Sequence, residues 1–535
     1  MRLIFFVLIS IQALGQQVRL EYSTFFNDQK RGAPTVIFAT SRYSLSAPGP
    51  SFPKEQMSYS NNSGQMTLFS TLENGQIISA TDTLKYKYEL LSDTKKVLGY
   101  TCKKAKTVVN SNTIEIWYTH ELPYQVGPSP IGIDLGTVLE TVRNGNTVVR
   151  ATQIDTVDSV PALPSAMQYD LLTYRDLIWK SRFITLPVLD KELINWNEET
   201  KAKEGVIRFA NGTLLVKKVK FPSISTDQQV FIELKQRSNG DAYDRTGSVF
   251  LIPETEGKNF FTGLEKGLDQ IPSLKSKDGE VYQGMHITAE YLPNVELMRF
   301  FTSFGVHHYN YNKIKDKDWQ DFTSFRQDIS ELRSIMNEKE VYIGTYIGNY
   351  DKGGHEVSLE ITVHQGGSSY HRFNTAKPLF NTVNVLEMGG QNYATLFKDE
   401  AGLQLEFTLE KDLKDAKLRY ISTGHGGWGN GDEFLPKKNS IYLDAHLVHA
   451  FTPWRQDCGS YRLSNPVSGN FASGLSSSDL SRSNWCPATV TNPIYIDLGD
   501  LKAGKHSLRV KIPQGEREGS SFSFWNVSGV LLGNE

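Results

Sequence analysis

The sequence is short of cysteine, of any excess charge, of long apolar runs and of helical periodicity. Three cysteines stand in 535 residues, and no two have the spacing of metal ligands. Lysine and arginine (57) nearly balance aspartate and glutamate (59), and no basic stripe is interleaved with aromatics, so nothing points to nucleic acid. After the first residues no stretch is long and apolar enough to cross a membrane as a helix. Helical spacing is confined to one short patch, Phe322, Phe325, Ile329, Leu332 and Ile335, which predicts an amphipathic helix there.

What is present begins with a leader. Met1-Arg2, an apolar run over 3–9 and a small-residue exit at Ala13-Leu14-Gly15 have the layout of a secretory signal peptide over 1–16. A secreted or periplasmic protein is expected. Glycine (43), tyrosine (24) and phenylalanine (28) suit β-sheet with tight turns. The dominant period is two. Leu403, Leu405, Phe407 and Leu409 alternate with polar residues, as do Val357, Leu359, Ile361 and Val363, and Leu508, Val510 and Ile512. Such alternation marks strands with one face on a core and one in water, and many strands with few helices imply sandwiches or barrels.

Length suggests about three domains. The Pro- and Ser-rich stretch 158–165 and the Gly/Ser stretch 365–369 are candidate joints, giving 17–160, 168–365 and 366–535. Cys458 and Cys486 flank a Ser/Gly/Asn-rich loop that a disulfide would hold, contributing ~3 kcal/mol. Cys102, distant in sequence, reads as a buried free thiol.

Two motifs could carry chemistry. Asp241-Ala242-Tyr243-Asp244-Arg245 lies between two strand-like runs, where an arginine beside a carboxylate would keep it ionised. An Asn-Gly turn with a solvated ion pair is the plainer reading of the same residues. The second motif runs from Thr423 through His425, Trp428, Asp432 and Glu433 to Phe434, with five glycines that let backbone approach a ligand closely. It lacks the Lys-Ser/Thr ending of a phosphate loop. A tryptophan beside carboxylates suits a carbohydrate surface, and a long hairpin loop is the alternative. His307-His308, with His446 and His449, could be copper ligands, or plain surface and structural histidines; no group has tight ligand spacing, and neither metal nor cofactor is expected.

On these residues the chain resembles the peptide:N-glycosidase F family of glycoamidases over about 183–535. Asp241 to Arg245 is similar to the family segment whose last aspartate is catalytic, which would place that role on Asp244, with Arg245 following. Asp432-Glu433-Phe434 is similar to the segment with a second essential glutamate, hence Glu433. Residues 479–487, with Arg482, Trp485, Cys486 and Pro487, resemble a family segment that carries half of a disulfide, Cys458 being the partner. Residues 296–306, with Arg299, resemble a family strand. There are departures: the family's other disulfides are missing, the loop before Glu433 is short, 256–292 reads as an insertion, and Gly348 stands where a third acidic residue is usual. The first domain more faintly resembles the β-rich GLPGLI family of exported proteins, around Cys102, Trp117 and Gly132 to Glu140.

The resemblance implies an all-β fold: two adjacent eight-stranded antiparallel jelly-roll sandwiches after an extra β-rich N-terminal domain. It implies hydrolysis of the amide joining asparagine to N-acetylglucosamine, with an N-glycoprotein or N-glycopeptide as substrate. Asp244 and Glu433 would be catalytic, and Arg245, Arg482, Trp428, Trp485 and Tyr350 would bind substrate, Trp485 reading equally well as core. Two rivals remain at this point: a copper monooxygenase of the same architecture and a non-catalytic glycan-binding protein.

Overall fold

Alternation decides the architecture. Strand Leu403–Leu409 buries every second residue from Leu403, and His355–His364 buries Val357, Leu359, Ile361 and Val363 on one face. The structure is a computed structural model describing residues 17–50, 53–61, 63–84, 86–305, 315, 322–364, 373–426, 431–469 and 476–535. The expected leader, His307-His308, Trp428 and the joint at 365–369 lie outside the described residues. No described helix is long and apolar enough to cross a membrane. The chain parts into two compact units, the first ending at Arg182 and the second spanning Phe183–Glu535.

The first unit is built on one 12-stranded sheet. It grows from strand Gln17–Phe26 in both directions, each neighbour antiparallel, until the short strand Met167–Gln168 adds in parallel beside Ile78 and Ser79. Val18, Leu20 and Tyr22 alternate into its core, where Cys102 is a buried free thiol whose burial raises its pKa to about 11. Past the Pro/Ser-rich stretch comes a helix, Leu171–Lys180, that no sequence pattern announces. Asp170 caps it by accepting from the Leu172 and Thr173 amides at 3.0 and 3.1 Å. Tyr174 and Ile178 pack on Leu72, Ile78 and Ala80, so residues 168–182 go with this unit and the first sandwich begins at Phe183.

The second unit holds two sandwiches. In the first, a four-stranded sheet (Phe183–Ile194, His355–His364, Gln229–Ser238, Thr323–Asp328) faces a six-stranded one. The six are Val206–Phe209, Leu214–Lys220, Glu340–Ile347, Thr246–Ile252, Val295–Phe301 and Val490–Thr491, the last coming from the C-terminal half of the chain. In the second, Thr375–Asn381, Ser523–Asn534, Leu413–Gly426 and Ile494–Leu501 face Leu403–Leu409, Gly504–Lys511, Asn439–Leu443 and His446–Phe451. The amphipathic helix expected over 322–335 is not formed. Phe325 sits on strand Thr323–Asp328, and Ile329 and Leu332 belong to a 3₁₀ turn, Ser330–Ile335. Alternation of Thr323, Phe325 and Gln327 into the core overrides the helical spacing.

Strand Ser523–Asn534 joins the sandwiches. Trp525, Val527 and Leu531 enter the second core, while Val530 and Leu532 pack into the first. Two arginines, each at most 1% exposed, cross the same junction. Arg299 clamps Glu296 (3.0 and 2.6 Å) and reaches Thr423 and the Asn526 carbonyl; Arg419 reaches Glu331 at 2.6 Å and the Glu296 carbonyl at 2.9 Å. Buried charges persist only when paired and hydrogen-bonded, so these contacts fix the two sandwiches in one register. The insertion-like segment 256–292 carries helix Phe260–Lys266 and lays Tyr282, Met285 and Ile287 into the second core.

Candidate active site at the junction of the two sandwiches

Asp244 stands on the loop between strands Gln229–Ser238 and Thr246–Ile252 of the first sandwich. That loop is held down from beneath. Thr302 Oγ1 accepts from the Arg245 amide at 2.8 Å, and the Gly305 amide donates to the Ala242 carbonyl at 3.0 Å. A Cβ on Gly305 would lie 2.2 Å from the Asp241 carbonyl oxygen, so only glycine permits this approach.

Glu433 follows strand Leu413–Gly426 of the second sandwich. Its carbonyl accepts from the Ser483 amide at 2.9 Å, and the Ser483 carbonyl accepts from Gly424 at 3.2 Å. Its neighbour Asp432, fully buried, anchors the turn by accepting from Trp525 Nε1 at 2.7 Å and from the Gly515 amide at 3.0 Å.

Arg482 brings the two together. The Cys458–Cys486 disulfide ties its segment to the one holding Arg455, and Arg455 and Arg482 exchange backbone hydrogen bonds of 2.9 and 3.0 Å. The Arg482 side chain, 1% exposed, has Nη2 3.1 Å from Asp244 Oδ2 and Nη1 on Glu433 Oε1. Nη2 also donates to the Ser477 carbonyl and hydroxyl, both at 2.8 Å. The guanidinium lies 4.2 Å from the Trp485 ring and 5.2 Å from the Phe434 ring, so it cannot swing away. The Asp244 contact is ionic rather than a well-aligned hydrogen bond: among the described residues no donor is aimed at Oδ2.

Electrostatics separate the two carboxyls. Burial raises Glu433 to about 7, the pull of Arg482 only partly opposing it and Asp244 adding to it. Burial also raises Asp244, but Arg482 and Arg245 both act to favour its anion. Arg245 does not pair with Asp244. Its fork turns to Asp241, with Nε at 2.6 Å and Nη2 at 2.9 Å. Asp241 also accepts from His355 Nε2 at 3.1 Å, and His355 Nδ1 accepts from Gln236 at 2.9 Å. Burial works against the Asp241 anion, yet the hydrogen bonds from His355 and Arg245 outweigh it and hold the carboxyl well below its usual range. Asp241 stands in the sequence only as the start of the motif that ends at Arg245, and His355 not at all, because His355 pairs with Ser238 on the neighbouring strand and so meets Asp241 on the loop that follows.

The remaining sequence-chosen residues divide. Tyr350, 51% exposed, has its ring 5.7 Å from the Arg245 guanidinium. Trp485 is no sugar platform: it is 4% exposed, one face stacks on Phe301 at 4.4 Å, Arg482 takes a second contact, and Nε1 donates to the Gly424 carbonyl at 3.0 Å. His425 is likewise interior. Burial, with the nearby charges of Arg299 and Arg482, keeps it far below its usual pKa and neutral, with Nε2 hydrogen-bonded to Thr423 Oγ1 at 2.8 Å. Among the described residues no three histidine, cysteine or carboxylate side chains are grouped to hold a metal ion.

Residues 185–363 match the family model described as peptide-N-glycosidase F, N terminal, and residues 392–532 match its C-terminal counterpart. The N-terminal unit, likened above to GLPGLI proteins, matches the N-terminal domain of N-glycanase peptide over residues 29–176. No curated protein matches the chain. Two solved structures of a protein named PNGF-II, in C2 and P21 crystals, are each 50% identical and cover 97% of this chain. They are themselves covered to 98% and 99%, with TM-scores of 0.91 and 0.92. These matches favour neither the copper reading nor the non-catalytic one. An arginine that holds two carboxyls from two fused sandwiches, which follow an extra β-rich domain in the sequence, thus sits in a chain that belongs to the peptide-N-glycosidase F family.

Proposed function

We propose that this chain hydrolyses the amide between an asparagine side chain and N-acetylglucosamine in N-linked glycoproteins and glycopeptides, freeing the glycan and leaving aspartate. The observation that carries the reading is Arg482 bridging Asp244 and Glu433 in a family whose members are peptide-N-glycosidases. An amide is a poor electrophile with a poor leaving group, so water must lose a proton and the departing nitrogen must gain one. Asp244, whose pKa burial raises against the opposing charges of Arg482 and Arg245, is a stronger base than an ordinary aspartate and takes the proton from water as the oxygen adds to the carbonyl carbon. Glu433, protonated up to about pH 7, gives its proton to nitrogen as the carbon–nitrogen bond breaks. The products are a carboxylic acid and a glycosylamine, and neither step calls for a metal or cofactor.

Arg245 and Tyr350 present charge and an exposed ring at the rim, where they bind substrate in this reading. Trp428 keeps the role expected from sequence but lies outside the described residues. The chain acts outside the cytoplasm, secreted or periplasmic; the leader pattern over 1–16 and the Cys458–Cys486 disulfide support this, because such bonds persist in oxidising compartments.

The test is release of glycan from a denatured N-glycoprotein in the presence of a chelator, read by mass spectrometry as free glycan and conversion of asparagine to aspartate. Folded Asp244→Asn protein with full activity would overturn the assignment.

A further inference from the structure

Two paired strands of the first sandwich change character at the same end. Along Gln229–Ser238 the core-facing positions run Val230, Ile232, Leu234 and then Gln236. Along His355–His364 they run Val363, Ile361, Leu359, Val357 and then His355. Ser238 lies opposite His355 and Gln236 opposite Val357, so Gln236 and His355 are diagonal neighbours on the inner face. Both are 0% exposed. Period two calls for an apolar residue at each place. The end at which both strands turn polar leads into the loop that carries Asp241 and Asp244.

Gln236 is not there for stability. Its Oε1 is buried and has no hydrogen-bond partner among the described residues. A buried amide with one end unsatisfied is costly where an apolar side chain would fit. The other end of the amide explains it. Gln236 Nε2 faces His355 Nδ1 at 2.9 Å, and His355 Nε2 faces Asp241 Oδ2 at 3.1 Å. An amide nitrogen can only donate, so Nδ1 accepts and the imidazole proton sits on Nε2, aimed at the carboxylate. Ser238 Oγ, opposite His355, donates to the Asp241 carbonyl at 2.6 Å and pins the backbone of the same residue.

What this arrangement controls is Arg245, whose charge acts on Asp241 and Asp244 alike. With its fork on Asp241, Arg245 stays beside the Tyr350 ring, and Asp244 has Arg482 as its ion-pair partner. A fork on Asp244 would weaken that carboxylate as a base and withdraw the guanidinium from the rim.

We propose that Gln236 and His355 are positioning residues: Gln236 fixes the His355 tautomer, and the Nε2 proton of His355 holds Asp241 where it binds the Arg245 fork and keeps that arginine off Asp244. The proposal rests on the glycoamidase reading, in which Arg245 meets substrate and Asp244 takes a proton from water.

The test uses the full chain and begins with imidazole nitrogen NMR, the His355 signals being assigned by their loss in His355→Gln. At neutral pH, Nε2 should be protonated and Nδ1 bare. An imidazolium, or a proton on Nδ1 alone, overturns the proposal. Kinetics on a glycopeptide then compare three variants. His355→Leu removes the donor to Asp241, and KM should rise about fivefold or more while kcat changes less. His355→Gln can present an N–H to Asp241 and a carbonyl oxygen to the Gln236 amide, and should stay within about twofold of wild type. Gln236→Met continues the apolar series, so Tm should hold while KM rises about threefold. That variant decides the matter should His355→Leu fail to fold. Folded variants with KM unchanged overturn the positioning role, as does His355→Gln protein as impaired as His355→Leu. A wild-type chain that releases no glycan removes the hydrolytic reading separately. Calorimetric affinity for the same glycopeptide then takes the place of KM: weakened in His355→Leu and Gln236→Met it keeps the positioning role, and unchanged it removes that too.

Discussion

The Arg482 guanidinium, 1% exposed, lies 3.1 Å from the Asp244 carboxylate, although one belongs to the second sandwich and the other to the first. In the proposed reaction this contact makes the junction between the sandwiches part of the catalytic apparatus. Asp244→Asn keeps the shape and removes the charge that accepts water's proton. It should cut kcat/KM for a fluorescent glycopeptide by about 10³-fold, within the range for losing a general base, with little change in Tm. Arg482→Lys keeps the charge but loses the planar fork that serves both carboxyls, and should cost about 10²-fold. Near wild-type rates in Arg482→Lys would mean that the bridge is only structural.

A pH profile tests Glu433 directly. Burial holds its proton up to about pH 7, and the departing nitrogen needs that proton. The rate should therefore fall about tenfold per pH unit above 7. Glu433→Gln should lower the plateau and abolish that descending limb. Stability should move in the same direction. With a folded pKa of about 7 against an ordinary 4.5, the folded chain keeps a proton that the unfolded chain releases between those values. This contribution is full below pH 4.5 and declines as pH rises to about 7. Tm measured from pH 4.5 to 8 in wild type and Glu433→Gln shows whether the slope belongs to this residue.

Asp241 holds the Arg245 fork and the His355 ring, which in the proposed site makes it a positioning residue. Asp241→Asn leaves His355 and Arg245 without their shared anion in a buried site, at a cost of about 3 to 5 kcal/mol. In a chain of this size that lowers Tm by several degrees. With Arg245 freed from its fork, the Tyr350 edge of the site loosens, so KM should rise more than kcat falls. The descending pH limb from Glu433 should stay where it is. A displaced limb would place Asp241 among the proton-transfer groups instead.

Strands such as Leu403–Leu409 were legible because one face meets water, and period two then shows in the residue types. Strand Ser523–Asn534 gives no such signal, because Trp525 and Val527 enter one core while Val530 and Leu532 enter another. The apparent helix at 322–335 failed for a related reason: spacing over a few residues fits a strand followed by a tight turn equally well. The motifs of Asp244 and Glu433 stood out in the sequence, but their pairing came only through resemblance to a family, since their meeting depends on Arg482, 49 residues beyond Glu433. Arg245 reads as the partner of Asp244 because it follows it. The fork turns to Asp241 instead, four residues back across the same loop. Trp485 shows the limit of composition, because a tryptophan in a polar, Ser/Asn-rich segment serves a glycan and a core equally well.

The Cys458–Cys486 bond holds the segment that delivers Arg482, so its removal should affect rate as well as stability. The bond closes a loop of 28 residues, for which chain entropy alone predicts a loss of about 3 to 4 kcal/mol. Cys458→Ala with Cys486→Ala avoids leaving one free thiol in the buried site. The double variant should unfold at lower denaturant and show a larger loss in kcat than in KM, because the Arg482 bridge contacts the catalytic carboxyls. Adding Arg482→Lys to it separates the two effects. If the disulfide acts on rate through Arg482, the combined loss will be smaller than the product of the separate ones. A fully multiplicative loss would mean that the bond stabilises the fold without positioning the arginine.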